Sequence, residues 1–445
     1  MAATQPARGT RDFLPDDVRR REYVVGIVRD VYERYGFEPL ETPAFENIET
    51  LLGKYGDEGN QLIFKILRRG EHEKSGEADL ALRYDLTVPL ARVVAEYQGK
   101  LPALFKRYQI QPVWRADRPA RGRFREFYQC DIDALGSTSI VIEVELLAAV
   151  SEVLSRLGFV DFDVRLNDRR LLAALLTTSG IPESRHNHAL VALDKLDKVG
   201  PEGVAAEFKA RGIEADAASK CLQFFAGGEQ QLARPVVERL TAFLGGSEAV
   251  ATVARIVALS ESTPSAGHVR IDPSLARGLS YYTGAIMEIA VEGIGSLGGG
   301  GRYDNLIGMF LGREVPACGF SLGLERIIVV MTERNMFPAA VAQGAVDVVV
   351  TFLDDDSRGE ALRLAGELRR TKLRIDVFPE AGRKFEKPLK YASARGAKLM
   401  AIFGENERAK GEVSVRDLTT REQRALTREG AARAISEILN SRTEA

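Results

Sequence analysis

Between Pro15 and Tyr35 the apolar positions Val24, Ile27, Val28, Val31 and Tyr35 recur at helical spacing, with Pro15 suited to a first turn and Gly36 to the stop. The pattern predicts an amphipathic helix. Phe37 to Pro43 is short, Pro-punctuated and extended, and Leu104 to Trp114 reads as a strand that runs into a polar loop from Arg115 to Gly122. A second strand starts at Arg123. Because successive side chains of a strand alternate, Phe124, Tyr128, Cys130 and Ile132 share one of its faces, and Arg123, Arg125, Phe127, Gln129, Asp131 and Asp133 share the other. That second face is too polar for a core.

Residues 140–157 form a helix by the spacing of Val141, Val144, Leu147, Ala148, Ser151 and Leu154, ending at Gly158. From Asn167 to about Leu259 the chain turns Ala- and Leu-rich, short of aromatics and broken by glycines, which predicts a helical insertion over 165–260. Strand patterns return at His268–Ile271 and Ala285–Val291, and a helix is expected from near Gly319 through Arg326 to Met331. Met336 to Gly344 has the small residues of a linker. Beyond it, strand-like runs at Val346–Phe352, Leu373–Phe378 and Lys398–Phe403 alternate with a helix carrying Ala361, Leu364, Ala365 and Leu368. The expected organisation is a domain over 1–332 interrupted by the insertion, a linker over 333–344, and a smaller α/β domain over 345–445 with a mainly parallel sheet.

Composition narrows the class. The 445 residues are 45% hydrophobic and 28% charged, which excludes a disordered or collagenous chain. With 61 basic and 63 acidic residues the net charge is −2, so any attraction for nucleic acid must come from local surfaces. Cys130, Cys221 and Cys318 are odd in number and far apart, as in a reducing compartment. His186 and His188 read as surface residues rather than metal ligands. No apolar run reaches membrane-spanning length and Met1 to Gly9 has no apolar h-region, so the cytoplasm and no membrane are expected.

Within 106–125, Lys106, Arg107, Arg115, Arg118, Arg121, Arg123 and Arg125 meet only Asp117. Forked guanidinium donors around a hairpin can hold a polyphosphate, and Phe127 can stack on a base. A solvated basic hairpin has the same composition. From Lys372 to Lys398 eight basic residues (Lys372, Arg374, Arg383, Lys384, Lys387, Lys390, Arg395, Lys398) face Asp376, Glu380 and Glu386, which suits phosphate contacts. No GxxxxGK[ST] loop occurs, and the run Gly298–Gly301 lacks dinucleotide-binding spacing. Those glycines admit close backbone approach to a substrate or make a flexible turn.

Trp114, Arg115, Asp117, Arg123 and Phe127 match the second signature of class II aminoacyl-tRNA synthetases. Gly319 to Arg326 resembles the third, Gly-x-Gly-x-Glu-Arg, and residues 16–43 ending at Pro43 resemble the first. Ala276 to Gly284 and Gly298 to Asp304 are similar to the two histidine-specific signatures of the histidyl-tRNA synthetases, and Arg8 to Asp12 and Leu82 to Thr87 look like the same family. The resemblance implies an α+β catalytic core, an antiparallel sheet flanked by helices, with the helical insertion and a C-terminal α/β anticodon-binding domain.

It also implies ATP-dependent attachment of L-histidine to tRNA(His) through a histidyl-adenylate, with AMP and diphosphate released, by a homodimer using ATP with Mg²⁺. By family position, Asp85, Leu86, Thr87, Arg115, Gln129, Asp133, Arg277, Tyr281 and Tyr282 surround histidine. Arg115, Asp117, Arg123, Phe127 and Arg326 hold ATP, Arg115 and Arg277 are catalytic, and no protein metal site is implied. One departure stands out: Ser280 replaces the family's usual Asp before the tyrosine pair, and it is expected to serve through a hydrogen bond or water. The competing reading is a catalytically silent paralogue that regulates histidine biosynthesis or senses uncharged tRNA. Arg115, Arg277, Arg326 and the last hundred residues, which such regulators tend to lose, are all present.

Overall fold

The computed structural model describes residues 4–68, 76–225, 233–276, 281–293, 295–342, 346–381 and 385–441. The chain divides into two compact units, Met1–Phe337 and Pro338–Ala445. The first is built on a sheet of eight strands: β1 (Glu38–Pro39), β2 (Phe105–Trp114), β3 (Glu126–Leu135), β4 (Phe162–Asp168), β5 (Val269–Ile271), β6 (Ala285–Val291), β7 (Gly295–Arg302) and β8 (Ala317–Gly323). Their spatial order is β1-β2-β3-β8-β7-β6-β4-β5. The six inner strands are antiparallel, and a parallel pair closes each edge.

Helices Pro15–Arg34, Val141–Arg156 and Leu324–Glu333 pack on this sheet. The first begins on its proline and stops before Gly36, whose φ of 76° is the left-handed conformation that glycine adopts without a Cβ penalty. Val28, Val31, Leu147, Val150, Ile327 and Val330 meet Cys130, Ile132, Phe320 and Leu322 from the strands in one core. A fully buried Val or Leu of this kind contributes roughly 1.5–3 kcal/mol of transfer free energy. The opposite face of β3 is also buried: Gln129, Asp131 and Asp133 are 8%, 3% and 2% exposed. It packs a polar cavity instead of a core.

Two local expectations are corrected. The helix expected from Gly319 begins only at Leu324, because Ala317–Gly323 is strand β8. Cys318, Phe320 and Leu322 alternate with Gly319, Ser321 and Gly323, a period of two that short small-residue sequence hides. Of the two readings of the run Gly298–Gly301, the flexible turn is excluded, because the run is a strand. An ideal Cβ at Gly298 would lie 2.4 Å from the Ser321 carbonyl oxygen, and one at Gly300 would lie 2.1 Å from that of Gly319. Neighbouring backbone occupies the space a side chain needs.

Residues 165–168 of the expected insertion belong to β4, and the helices begin at Arg169. Leu172, Leu176, Leu193, Phe208 and Cys221 form a separate cluster among its earlier helices. Leu240, Val253 and Ile256, from helices Ala233–Leu244 and Glu248–Ser260, join the main core instead.

The second unit has a sheet of five strands, of which Ile375–Val377, Val348–Phe352 and Leu399–Phe403 are parallel. An antiparallel hairpin, Glu412–Asp417 with Gln423–Thr427, completes it, so the sheet is less parallel than the sequence pattern suggests. Several basic residues between 372 and 398 already have acidic partners: Arg374 with Asp347, Arg395 with Asp376, Lys387 with Glu380 and Lys390 with Glu386. Arg383 and Lys384 lie outside the described residues.

Gly300→Ala should therefore destabilise the first unit by about 1–3 kcal/mol, the usual cost of forcing extra atoms into packed structure. Chemical denaturation checks this; an unchanged midpoint would show that the strands can part without cost.

Candidate active site

The β2–β3 hairpin, paired from Phe105 with Leu135 to Trp114 with Glu126, brings its loop over a cavity of about 280 Å³. Arg115, Asp117, Arg123, Phe124 and Phe127 from the hairpin line it, together with Arg326 from the first turn of helix Leu324–Glu333. Asp85, Thr87, Gln129, Tyr281, Tyr282 and Ser321 also line it, and Gly298–Gly300 of β7 present bare backbone.

The hairpin loop is held from outside. The Arg125 backbone N–H donates to the Gly9 carbonyl at 2.8 Å, and its Nε donates to the Asp117 carbonyl at 3.2 Å. Arg11 stacks between Phe13 and Phe124, with centroid distances of 4.5 and 4.2 Å. Arg115 donates its Nε–H to the Tyr84 carbonyl at 3.0 Å while its guanidinium lies over the rings of Tyr84 and Phe127. Two aromatic faces and one hydrogen bond thus fix the direction of this cation. Arg326 donates to the Ser296 carbonyl.

Only Arg115 and Arg123 of the seven basic residues in 106–125 line the cavity. Arg107 is fully buried and bonded to Asp133 at 2.7 Å. Lys106 donates to the Tyr35 carbonyl at 2.6 Å and pairs with Glu145, and Arg121 pairs with Glu333. Fewer of these basic residues face the cavity than composition alone offers.

The acidic side of the cavity is layered. The Asp85 carboxylate accepts from the Tyr55 hydroxyl at 3.0 Å, the Val88 backbone N–H at 3.0 Å and the Tyr281 hydroxyl at 3.3 Å. Burial still raises its pKa, and the nearby Arg115 charge opposes that shift. Leu86 and Asp133 are not in the cavity wall. The Leu86 carbonyl accepts from Arg107 at 3.3 Å, and Asp133 accepts from the Tyr303 hydroxyl and pairs with Arg107. An ideal Cβ on Gly319 would sit 1.9 Å from the Asp133 carboxylate, so glycine in β8 is what lets that side chain cross beneath the strand. Burial pushes Asp131 up to about 7 despite Arg107. Arg277 and Ser280 lie outside the described residues.

Tyr55, Tyr303, Ser321 and Glu325 join the site without having been singled out as site residues from the sequence. Tyr303 stands inside the quoted Gly-Arg-Tyr-Asp motif and Glu325 inside Gly-Leu-Glu-Arg, so both had a signal. Ser321 follows once β8 is read as a strand, since its register partner is Asp131. Tyr55 has none. Among the described residues no group of three or more His, Cys, Asp or Glu could hold a metal ion. No helix among them is long and apolar enough to cross a membrane.

Known proteins share this chain's sequence and fold. Residues 9–327 match the family model described as histidyl-tRNA synthetase, and residues 347–438 match one described as an anticodon binding domain. The chain is 41% identical over 464 residues to a histidine--tRNA ligase of Gloeobacter violaceus, covering 97% of this chain and 98% of that one. It is 40% identical over 451 residues to the histidine--tRNA ligase of Porphyromonas gingivalis, covering 95% and 97%. The crystal structure of a histidyl-tRNA synthetase from Nostoc sp. superposes with a TM-score of 0.81 at 29% identity, over 98% of this chain and 100% of that one.

Glu325 offers a test of the buried electrostatics. Its carboxylate accepts the Tyr128 backbone N–H at 2.9 Å, yet burial pushes its pKa up to about 7 from an ordinary 4.5. Between those values the folded state binds more protons than the unfolded state, so this group's contribution to stability falls as pH rises from about 4.5 to 7 and is constant above. Glu325→Gln keeps an acceptor and removes the titration. The melting temperature of the ligand-free variant relative to the unaltered protein should rise across that window, by the equivalent of roughly 3 kcal/mol at about 1.4 kcal/mol per pKa unit. A pH-independent difference would contradict the buried, titrating carboxyl.

Proposed function

The chain belongs to the histidyl-tRNA synthetase family, and from that premise we propose how the side chains around its cavity divide the ATP-dependent attachment of L-histidine to tRNA(His). The reaction proceeds through histidyl-adenylate and releases AMP and diphosphate. One observation carries the assignment of roles. Acceptor-rich side chains and arginines line the same small cavity, with the Arg115 charge near enough to Asp85 to oppose the rise in its pKa. Histidine brings an ammonium and an imidazole N–H that need acceptors, and ATP brings a polyanion that needs fixed cations.

Asp85, Thr87 and Gln129 receive the α-ammonium, and Tyr281 and Tyr282 flank the imidazole. Asp133, held by Tyr303 and Arg107, sets the charge beneath them. Phe127 and Arg326 take the two faces of the adenine, Arg123 reaches the outer phosphates, and Asp117 orients the loop that carries them. The histidine carboxylate attacks the α-phosphate in line and diphosphate leaves, so no proton need be removed from the nucleophile. Negative charge grows on the phosphoryl oxygens. Arg115, held in place by Tyr84 and Phe127, needs no reorganisation to meet that charge. Arg277 acts beside it by family position. The terminal ribose hydroxyl of tRNA then attacks the acyl carbon and AMP departs.

Mg²⁺ enters as part of the MgATP substrate. Phosphate oxygens and water would supply most of its ligands. The unit after residue 338 takes the anticodon, and the working enzyme is a cytoplasmic homodimer.

Histidine-dependent exchange of labelled pyrophosphate into ATP tests this reading directly, with the other amino acids as controls. No exchange would leave a silent regulator in its place. Arg115→Ala should lower the exchange rate about a hundredfold, the worth of one preorganised donor at roughly 3 kcal/mol, and Arg277→Ala should do the same. Near-normal rates would remove either from the catalytic group. Removing residues 341–445 should spare exchange and weaken tRNA charging, since tRNA binding is shared between two sites. Equal loss of both would give the second unit a structural part only.

A further inference from the structure

The two oxygens of the Asp85 carboxylate are unequally occupied. The Tyr55 hydroxyl and the Val88 backbone N–H both donate to Oδ1 at 3.0 Å, whereas Oδ2 receives only the Tyr281 hydroxyl, at 3.3 Å, among the described residues. A carboxylate offers about four lone-pair sites, two on each oxygen, so Oδ1 is filled and a site on Oδ2 is left for a further donor. Asp85 is 1% exposed and lines the cavity, which leaves these three donors to set its direction.

Tyr55 also reaches toward the phosphate end. Its ring packs against that of Tyr84, with centroids 4.6 Å apart and planes tilted by 45°. Tyr84 in turn holds Arg115 twice, through its carbonyl oxygen at 3.0 Å from Nε and through its ring, whose centroid lies 4.3 Å from the guanidinium carbon. Because Tyr84 and Asp85 are consecutive, one tyrosine side chain grips two neighbouring residues, the carboxylate with its hydroxyl and the other ring with its own. Tyr55 is itself outside the cavity wall, buried in an apolar cluster with Leu51, Leu90 and Phe105. Gly59 makes room for it, since a Cβ there would collide with the Tyr55 Cβ.

We propose that Tyr55 is a positioning residue for both substrates: its hydroxyl turns Asp85 so that Oδ2 faces the ammonium of histidine, and its ring backs Tyr84 and so holds Arg115 toward the α-phosphate. The inference rests on the readings above that Asp85 receives the ammonium and that Arg115 meets the phosphoryl charge. Different parts of one side chain serve the two ends of the cavity. Substitutions can therefore separate them.

The test is pyrophosphate exchange by the full-length protein, with KM for histidine, KM for ATP and kcat measured for each variant. Tyr55→Phe removes the hydroxyl alone and should raise the histidine KM on the order of tenfold, as expected for a hydrogen bond to a charged group, with ATP KM and kcat retained. Tyr55→Leu removes the ring as well. It should show the same rise in histidine KM and, in addition, a fall in kcat of about tenfold, because Arg115 is no longer preorganised. In an Asp85→Asn background, Tyr55→Phe should raise the histidine KM no further. A normal histidine KM in Tyr55→Phe, a kcat in Tyr55→Leu equal to that of Tyr55→Phe, or parallel losses in all three parameters in both variants would overturn the inference. A normal histidine KM in Asp85→Asn would instead bring down the reading on which it rests. Melting temperatures accompany each assay. Should Tyr55→Leu fail to fold, Tyr55→Met, which fills the space without a π face, is read in the same way.

Discussion

The ion pair between Arg107 and Asp133 is the interaction on which the cavity depends. Both side chains are out of water, and they meet at 2.7 Å beneath the wall that Gln129 and Asp85 help to form. Three carboxyl groups, Asp85, Asp131 and Asp133, are crowded into this region, and burial raises the pKa of each. The fully desolvated Arg107 guanidinium offsets Asp131 and Asp133, and Arg115 offsets Asp85. Loss of one partner from such a pair leaves an uncompensated buried charge, typically a cost of about 3–5 kcal/mol. The arrangement is therefore a poor source of stability and a good source of acceptors. Its charge is unbalanced, and an incoming ammonium or imidazole N–H supplies part of what is missing.

Alternation in β3 was legible in the sequence, and it carries much of this site. Placing Gln129 and Asp133 on one polar face is a consequence of period two alone. The long helices at Pro15–Arg34 and Val141–Arg156 were legible for a similar reason, a regular apolar stripe stopped by glycine. Strand β8 was not, because Gly319, Ser321 and Gly323 offer no propensity signal and their partners lie nearly two hundred residues away. With β8 misread, Ser321 had no neighbour and could not be connected to Asp131. Arg107 was misjudged on the opposite ground. In sequence it belongs to a basic cluster, whereas its position on β2 opposite Asp133 buries it. Tyr55 reaches Asp85 from a loop whose path no periodicity encodes.

Glycine explains how so polar a layer fits under a sheet. Side chains at Gly319, Gly298 and Gly300 would collide with the Asp133 carboxylate or with neighbouring backbone. Their absence lets a carboxylate pass beneath β8 and leaves bare backbone at the cavity on β7. In each case the glycine is required by what approaches it and not by its own φ, since none of the three adopts a left-handed conformation. The run is held by strand pairing on both sides.

A near-neutral chain that handles polyanions must keep its positive charge from being spent on its own carboxylates. In this protein that separation is spatial. Lys106, Arg107 and Arg121 are each committed to an acidic partner, and Arg125 is turned to backbone carbonyls, where it braces the loop. Arg115 is held instead by a carbonyl oxygen and two aromatic faces, none of which carries a negative charge. Its guanidinium is oriented without being neutralised. An arginine gripped by a carboxylate would be equally well placed, yet it would have to give up that partner before meeting a phosphate. Holding a cation by π faces and a carbonyl keeps its charge available to the anion that arrives.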